Sequence, residues 1–290
     1  MELHEINQYN DSLFPVGIYH VTPYQCIPHG RGYRDLHWHE ELQYVLVLSG
    51  QVTFQVNGKD YELHQNEVLF INKSNLHIST KMSQDAHYAS LNFPEKMLSF
   101  FPSSRMYYNY VNPYTNSSRL NAYKFVDDKI TQFLYKIVDL FQQSNNEYDI
   151  SLLIIKLWNQ SIHYFKQLSL PQDISFNKQQ ARIQEMLNFI HQNYANSLNL
   201  QDIADVGKIS IAQCNRYFKS FVRMSPYEYL IYYRLQKSTD YLIESTFNIN
   251  EIAHKVGFLD VNHFIHSFKK RYGKSPKRYQ LEYLKMTQKI

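Results

Sequence analysis

The chain has 290 residues, of which 44% are hydrophobic and 19% are charged. This length exceeds the usual size of one domain and favours two, and the composition excludes a disordered chain. The formal net charge of +4 is unevenly distributed. Residues 1–177 contain 13 basic and 17 acidic side chains, a net charge of −4, whereas residues 178–290 contain 17 and 9, a net charge of +8. The basic second part predicts a polyanionic partner.

Neither export nor membrane insertion is indicated. The opening MELHEINQYN lacks the basic and apolar regions of a secretory signal, and no window approaches the ~18 continuous apolar residues that span a bilayer. Cys26 and Cys214 lie in different halves and cannot form a disulfide framework. We therefore expect a cytoplasmic protein with reduced thiols and no membrane partner.

The first predicted elements are strands. Residues 42–63 have the pattern of a β-hairpin: LQYVLVL favours a strand that stops at Gly50, QVTFQV alternates, and Asn57-Gly58 is a strong two-residue turn signal. VLFI at residues 68–71 follows as a short buried strand. Short strands at this spacing predict an all-β barrel or sandwich.

After about residue 120, the apolar spacing becomes that of helices. Two stripes separated by the polar QSNNEYD predict an antiparallel helical pair; they are Val126, Ile130, Phe133, Leu134, Ile137, Val138 and Phe141, and then Leu152, Ile155, Trp158, Ile162 and Phe165. The stripes can pack on the barrel, on a partner subunit or on both. LSLPQDISFNK then predicts a linker, because Pro171 and the polar residues end the second helix.

Three histidines form the candidate site of the first part. His37, His39 and Gln43 share parity along an extended segment and so face one side, and His77 follows the strand at 68–71. These imidazoles can bind a transition metal, or they can be the hydrogen-bonded wall of a pocket. The neutral amide of Gln43 leaves a cation uncompensated. We therefore expect no metal and no cofactor, and a ligand pocket lined by His37, His39, Gln43 and His77.

This segment resembles the two motifs of the cupin family. HWHEELQYVLVLSG has the spacing of the first motif, with Gln43 where the family has an acid, and LHQNEVLFINKSNLH resembles the second motif, ending on His77. The resemblance covers roughly residues 30–80. It implies a small β-barrel whose mouth holds a ligand, and the Gln43 departure argues against the metal chemistry of enzymatic cupins.

The basic part contains two copies of one unit, 50 residues apart. The recurring pairs are Val206-Gly207 with Val256-Gly257, Phe218-Lys219 with Phe268-Lys269, Ser225-Pro226 with Ser275-Pro276, and Tyr229 with Tyr279. Two copies are too few for a solenoid and indicate a tandem duplication. Each copy predicts a helix, a glycine turn and a second helix, which is the helix-turn-helix whose second helix enters the major groove.

Each predicted helix of this part begins at a side chain that can cap it. The capping residues are Asn199, Ser210, Asn248 and Asp260, and Ser225-Pro226 with Glu228 opens a linking helix that runs to about Glu244.

The second helix of each copy presents side chains suited to DNA. The apolar positions Ile211, Cys214, Phe218, Phe264 and Phe268 are predicted to be buried. The predicted DNA contacts are Ser210, Ala212, Gln213, Asn215, Arg216 and Lys219, and in the second copy Val261, Asn262, His263, His266, Lys269 and Lys270. Arg pairs with guanine, Asn and Gln with adenine, Ala and Val touch thymine methyls, and Lys contacts phosphate. One such helix could be a solvated polar face, but two in a basic segment favour DNA.

IAHKVGFLDVNHFIHSFKKRYGKSPKRY closely resembles the signature of the AraC/XylS family of bacterial transcription regulators. The resemblance implies that one monomer places two recognition helices in successive major grooves. It also implies base contacts from the matching positions, although His266 stands where the family commonly has Arg. The first copy matches less tightly than the second.

Together these features predict an α+β protein of two domains: a cupin-like β-barrel with an antiparallel helical pair for ligand sensing and dimerisation (1–170), a linker (171–177) and an all-α AraC-type DNA-binding domain (178–290). The combination resembles ligand-responsive members of the family, many of which regulate carbohydrate use. It implies a homodimeric activator, not an enzyme, whose partners are double-stranded promoter DNA, RNA polymerase and a small-molecule effector such as a sugar. Two alternatives stay open: a barrel that only dimerises, and a metal-dependent cupin enzyme with a DNA-binding appendage.

Overall fold

The structure is a computed structural model that describes residues 9, 11, 13–28, 35–101, 104–117, 119–143, 145–168 and 174–287. The chain divides into two compact units between Gln180 and Ala181. The strands of the first unit are β1 (Gly17–Val21), β2 (Cys26–Ile27), β3 (Leu42–Ser49), β4 (Gln51–Val56), β5 (Lys59–His64), β6 (Val68–Ile71), β7 (His77–Met82), β8 (His87–Phe93) and β9 (Ala122–Phe125). Its helices include α1 (Asn112–Thr115), α2 (Asp128–Phe141) and α3 (Glu147–Phe165).

Two antiparallel sheets form the first unit. One has the strand order β2-β1-β8-β3-β6-β9 and the other has the order β5-β4-β7. Val45 and Val47 of β3 share an apolar cluster with Val52 and Phe54 of β4, so a core lies between the sheets. The predicted cupin-like β domain is thereby confirmed, in the form of two sheets with their apolar faces together.

The predicted hairpin at 42–63 is wrong in its first part, because β3 does not pair with β4. In the structure, β4 pairs with β5 around Asn57 and Gly58, which have positive φ values of 45° and 79°, whereas β3 pairs with β6 and β8 in the other sheet. Gly50, with φ of 67°, carries the chain from one sheet to the other. The physical reason is that LQYVLV is buried on both faces, which is typical of a central strand and not of one arm of an exposed hairpin.

The predicted helical pair is present and antiparallel. Asp127 caps the start of α2, and its carboxylate accepts hydrogen bonds from Gln160 and Tyr164 near the end of α3. The Tyr44 and Ser161 hydroxyls lie 2.9 Å apart and join β3 to α3. Both helices contribute to the apolar cluster on the outer face of the large sheet, so their stripes pack on the β domain.

The predicted phase of these stripes needs two corrections. Val126 is 76% exposed and precedes α2, and Leu152 is 41% exposed. The buried face of α3 instead includes Ile150, Ile154 and Leu157. The sequence misled because α3 carries apolar residues on more than one face, and only packing against the sheet selects one of them.

The helices of the second unit follow α4 (Ile174–Asn193), which begins before the division. They are α5 (Leu200–Val206), α6 (Ile211–Phe221), α7 (Pro226–Glu244), α8 (Ile249–Lys255), α9 (Val261–Tyr272) and α10 (Pro276–Thr287). Every predicted cap is confirmed, because the side chains of Asn199, Ser210, Ser225, Asn248 and Asp260 each accept a hydrogen bond from a backbone N–H of the following first turn. α5 packs on α6 and α8 packs on α9, as the two helix-turn-helix units require. Among the described residues, no helix is both long and apolar enough to cross a bilayer.

The glycine turns of the two helix-turn-helix copies differ. Gly257 has a left-handed φ of 90°, but Gly207 has a φ of −74° and the following Lys208 takes the left-handed conformation, with φ of 50°. Gly207 is instead closely packed, since a Cβ there would lie 2.9 Å from Met186 Sδ. The two copies therefore use the same residue for different physical reasons.

Part of the predicted linker is helical. Residues 171–173 lie outside the described residues, but residues 174–177 form the first turn of α4. These four residues include neither proline nor glycine, and each residue added to an existing helix forms a further hydrogen bond, so α4 extends back toward Pro171.

Candidate DNA interface and ligand site

The first recognition helix, α6, buries most of the predicted stripe. Cys214 and Phe218 are fully buried as predicted, but Ile211 is 39% exposed. Tyr217 and Phe221 are buried in its place. Ile211 is the first helical residue and stands at the end of the helix, where fewer neighbours cover it.

Some of the predicted DNA contacts of α6 are exposed, and others make hydrogen bonds to the backbone at the start of the helix. Ala212, Arg216 and Lys219 are exposed. Gln213 Oε1 accepts a hydrogen bond from the Ser210 backbone N–H at 3.3 Å, and Asn215 Nδ2 donates to the Ile211 carbonyl at 3.1 Å. The two amides must give up or share these bonds to read a base, whereas the Arg216 guanidinium is exposed to solvent.

The second recognition helix, α9, is organised in the same way. Phe264 and Phe268 are fully buried, as predicted. Val261 is half-buried, and the other predicted contacts are exposed: Asn262, His263, His266, Lys269 and Lys270. The basic last turn is favourable next to the negative end of the helix dipole. Arg271, the third cation of this turn, lies 4.0 Å from the centre of the Tyr232 ring and so supports the contact with α7.

The two recognition helices both act on the first turn of α7. Hydrogen bonds from Ser225 hold the pKa of the Glu228 carboxyl below its ordinary value, and the charges of Lys219 on α6 and Lys270 on α9 lower it further. Both lysines are predicted phosphate contacts. The start of α7 therefore lies near one predicted phosphate contact from each helix-turn-helix.

The three predicted histidines meet in the first unit. His37 and His77 form an isolated bridge between backbones, and the ring centres lie 4.3 Å apart for His37–His77, 5.0 Å for His39–His77 and 5.9 Å for His37–His39. All three side chains are buried, and one ring nitrogen from each lies within 4.8 Å of the others. The sequence prediction that these residues form one site is consistent with this geometry.

The protonation of the cluster follows from its backbone contacts. The Nδ1 atoms lie 2.8, 3.2 and 2.8 Å from the carbonyl oxygens of Asp35, Glu41 and Asn75 for His37, His39 and His77 respectively. A carbonyl only accepts, so in the neutral rings Nδ1 carries the proton and Nε2 keeps its lone pair. Burial, and then the neighbouring His37 and His39, lower the pKa of His77 well below its ordinary value. A neutral His77 therefore presents its Nε2 lone pair as an acceptor.

Gln43 belongs to a polar chain that sequence reasoning found only in part. Its Nε2 donates to Ser90 Oγ at 2.7 Å, and Ser90 Oγ donates to Asn92 Oδ1 at 3.0 Å. All three side chains are buried, and Gln43 Oε1 has no hydrogen-bond partner within the described part of the chain. Ser90 and Asn92 were missed, although their shared parity in the strand HYASLNF was a usable signal.

The histidine cluster meets some of the requirements of a metal centre. Three imidazoles oriented by second hydrogen bonds to carbonyls are a suitable donor set for a transition ion. Gln43, at the position of the acid in cupin enzymes, contributes no negative charge, so a divalent ion would keep its full charge in a buried setting. The donor set fits a metal only in part, and the expectation of no metal stays a prediction.

Comparison with known proteins agrees with both units. Residues 203–282 match the helix-turn-helix domain family, and residues 23–86 match the cupin domain family. The chain is 33% identical over 287 residues to the uncharacterized HTH-type transcriptional regulator YdeC of Bacillus subtilis (strain 168), covering 96% of each chain. The chain belongs to the AraC family of transcriptional regulators.

Two further relatives of this AraC-family chain are more distant. It is 24% identical over 285 residues to the HTH-type transcriptional activator RhaS of Yersinia pestis (strain Pestoides F), which covers 95% of this chain and 97% of the relative. Among solved structures, the C-terminal domain of the two-component response regulator yesN from Fusobacterium nucleatum is 31% identical, with a TM-score of 0.32 over 33% of this chain and 93% of that one.

Proposed function

We propose that this AraC-family regulator binds promoter DNA as a homodimer through both helix-turn-helix units of each subunit, and that an effector bound in the first unit changes this binding. One observation carries the DNA proposal: two separately capped recognition helices each expose the side chains that suit bases and phosphates, in a segment with a net charge of +8. The proposed sensor comprises residues 1–170, and the proposed DNA-binding domain comprises residues 178–290.

Joining two units in one chain strengthens binding. Once one recognition helix occupies its groove, the second binds intramolecularly, at an effective concentration set by α7. The name of the relative RhaS as an activator supports activation of transcription, with RNA polymerase as the further partner.

The acceptor character of the histidine cluster supports the class of the effector. Within the described part of the chain, His77 Nε2 and Gln43 Oε1 are buried acceptors without a hydrogen-bond partner, and a ligand that donates hydrogen bonds would satisfy both of them. A sugar, which carries several hydroxyl groups, matches such a site. The ligand regulates only if it binds one arrangement of the protein better than another.

A thermal shift experiment tests the effector proposal. Tryptophan fluorescence is a suitable probe, because both tryptophans, Trp38 and Trp158, precede the DNA-binding unit. A panel of sugars and other polyols should contain a compound that raises the transition temperature, by the mass action of binding to the folded state. The same compound should have no effect on His77→Phe. A panel without any hit would leave the barrel as a dimerisation module.

Metal analysis of the purified protein separates the enzyme alternative. We expect no stoichiometric Fe, Mn, Ni or Zn, because the position of Gln43 supplies no charge. One equivalent of such an ion, lost in His37→Ala, would contradict this expectation and would support a metal-dependent cupin enzyme.

A further inference from the structure

Arg234 is a buried cation in the middle of α7. Its side chain is only 8% exposed, and its two hydrogen bonds go to backbone carbonyls. Nε donates to the Tyr194 oxygen at 2.8 Å, and Nη2 donates to the Asn196 oxygen at 2.9 Å. Both acceptors lie in the segment that follows α4, so the guanidinium fixes the end of that helix to α7.

The other side of the same guanidinium faces the turn of the second helix-turn-helix. It lies 5.9 Å from the centre of the Phe258 ring, and a Cβ added to Gly257 would be 2.9 Å from Arg234 Nε and 2.6 Å from the Tyr194 oxygen. Arg234 thus fills the space between the end of α4 and the turn that leads into α9.

Phe258 connects the guanidinium with a predicted base contact of α9. Its ring centre lies 5.4 Å from the ring of His263 and 5.2 Å from that of Phe264. His263 is a predicted base contact at the beginning of α9, next to Asn262. The start of the second recognition helix therefore packs against Phe258, and Phe258 packs against the Arg234 guanidinium.

The turn of the first helix-turn-helix is held differently. It is closed by Met186 of α4, whose Sδ would lie 2.9 Å from a Cβ at Gly207. The contact is apolar and the thioether is flexible. Of these two turns, which both lie in the described part of the chain, the second is the one that a guanidinium supports with a fork of hydrogen bonds.

We infer that Arg234 is a positioning residue for DNA readout by the second recognition helix, through the chain of contacts from the end of α4 to Phe258 and His263. The inference rests on the proposed DNA binding. Lysine cannot replace this function, because its ammonium is a point charge without the planar fork that holds two carbonyls at fixed directions.

Double-mutant cycles test this role. The probe is a duplex that the wild-type full-length protein selects from a random-sequence pool, and affinity is measured by fluorescence anisotropy. In the wild-type background, Asn262→Ala on α9 and Arg216→Ala on α6 should each weaken binding by about tenfold. In the Arg234→Lys background, the effect of Asn262→Ala should fall below about twofold, whereas the effect of Arg216→Ala should stay near tenfold.

Two results would overturn the inference. One is an unchanged tenfold effect of Asn262→Ala in the Arg234→Lys background. The other is an equal reduction of both effects, which is expected from general destabilisation. Lys237→Met is the matched control on α7, and it should leave both effects at their wild-type size.

A second variant and a footprint keep the test decisive if Arg234→Lys does not fold. Phe258→Leu removes the ring but keeps an apolar side chain, and it should reproduce the selective loss. In hydroxyl-radical footprinting, either variant should lose protection in one of two successive grooves and keep it in the other. If the wild-type protein enriches no sequence from the pool, the proposed function itself fails; enrichment with unchanged cycles refutes only the role of Arg234.

Discussion

The two turn glycines provide a matched pair for testing the tandem architecture. Gly257→Ala places a Cβ on a residue with φ of 90° and within 2.6 and 3.0 Å of the Tyr194 and Ala195 carbonyl oxygens. The left-handed conformation costs roughly 1–2 kcal/mol, and forcing a methyl group into a filled space costs roughly 1–3 kcal/mol. The carbonyl of Tyr194 is held by Arg234 and cannot move cheaply. The expected loss of stability is therefore about 3 kcal/mol.

Gly207→Ala should cost much less. The φ of −74° is ordinary for alanine, so no backbone strain arises. The nearest atom is the Sδ of Met186, the far part of a flexible side chain. The expected loss of stability is about 1 kcal/mol or less, from overpacking that the thioether relieves by changing rotamer.

Urea unfolding of the full-length chain, followed by two probes, measures this difference. Far-UV circular dichroism follows the helices, which dominate the second unit, and tryptophan fluorescence follows the first unit through Trp38 and Trp158. Gly257→Ala should lower the midpoint of the helical transition and leave the fluorescence transition unchanged. Equal shifts for the two glycine variants would refute the argument from φ and close contact.

The remaining predictions concern DNA contacts, thiols and pH. Arg216→Ala should weaken specific binding by ~1–3 kcal/mol and relax the sequence preference. Lys219→Ala should weaken binding to all sequences and lower the slope of log affinity against log salt concentration by about 0.9. Fluorescence anisotropy over a series of salt concentrations measures both effects, and the reverse pattern would mean that Lys219 reads a base and Arg216 contacts phosphate. Burial raises the pKa of Cys214 to about 11, so iodoacetamide at about pH 8 should label the partly exposed Cys26 and spare Cys214 in the folded protein; mass spectrometry counts the adducts, and two adducts would contradict the burial. Burial lowers the pKa of His77 in the folded protein, so below the unfolded pKa of about 6.5 the unfolded chain binds a proton on this residue more readily than the folded chain does. The free energy of unfolding should therefore fall as pH drops below that value. The urea midpoint of the fluorescence transition should therefore fall with decreasing pH in the wild type, and should fall less in His77→Gln. Equal slopes of midpoint against pH in the two proteins would exclude His77 as the source of this pH dependence.

Local signals made the second unit predictable. Caps such as Ser225 and Asn248 satisfy backbone N–H groups within one helical turn, so a few adjacent residues suffice to locate each start. The repeat of 50 residues then related one helix-turn-helix to the other. In the first turn Lys208, and not Gly207, takes the left-handed conformation, and the repeat alone did not predict this difference.

Long-range pairing limited what could be predicted of the first unit. The parity of residues 37, 39 and 43 placed them on one face, and Ser90 and Asn92 also share parity in their strand, but only the pairing of β3 with β8 brings these two residues beside Gln43. The same holds for β3, whose apolar run fits either a hairpin arm or a central strand. Its partners β6 and β8 are distant in sequence, and burial on both faces decided between them.

By itself, the sequence determined the two-part organisation, the helix caps of the DNA-binding unit, the position of its two turns, and the residue types that its recognition helices expose. These features depend on interactions within a few residues or on the distribution of charge. Only the tertiary structure decided which sheet β3 joins, which face of α3 is buried, and that Arg234 connects the end of α4 with the second turn. Each of these depends on contacts between residues far apart in the chain, where packing selects among arrangements that are locally equivalent.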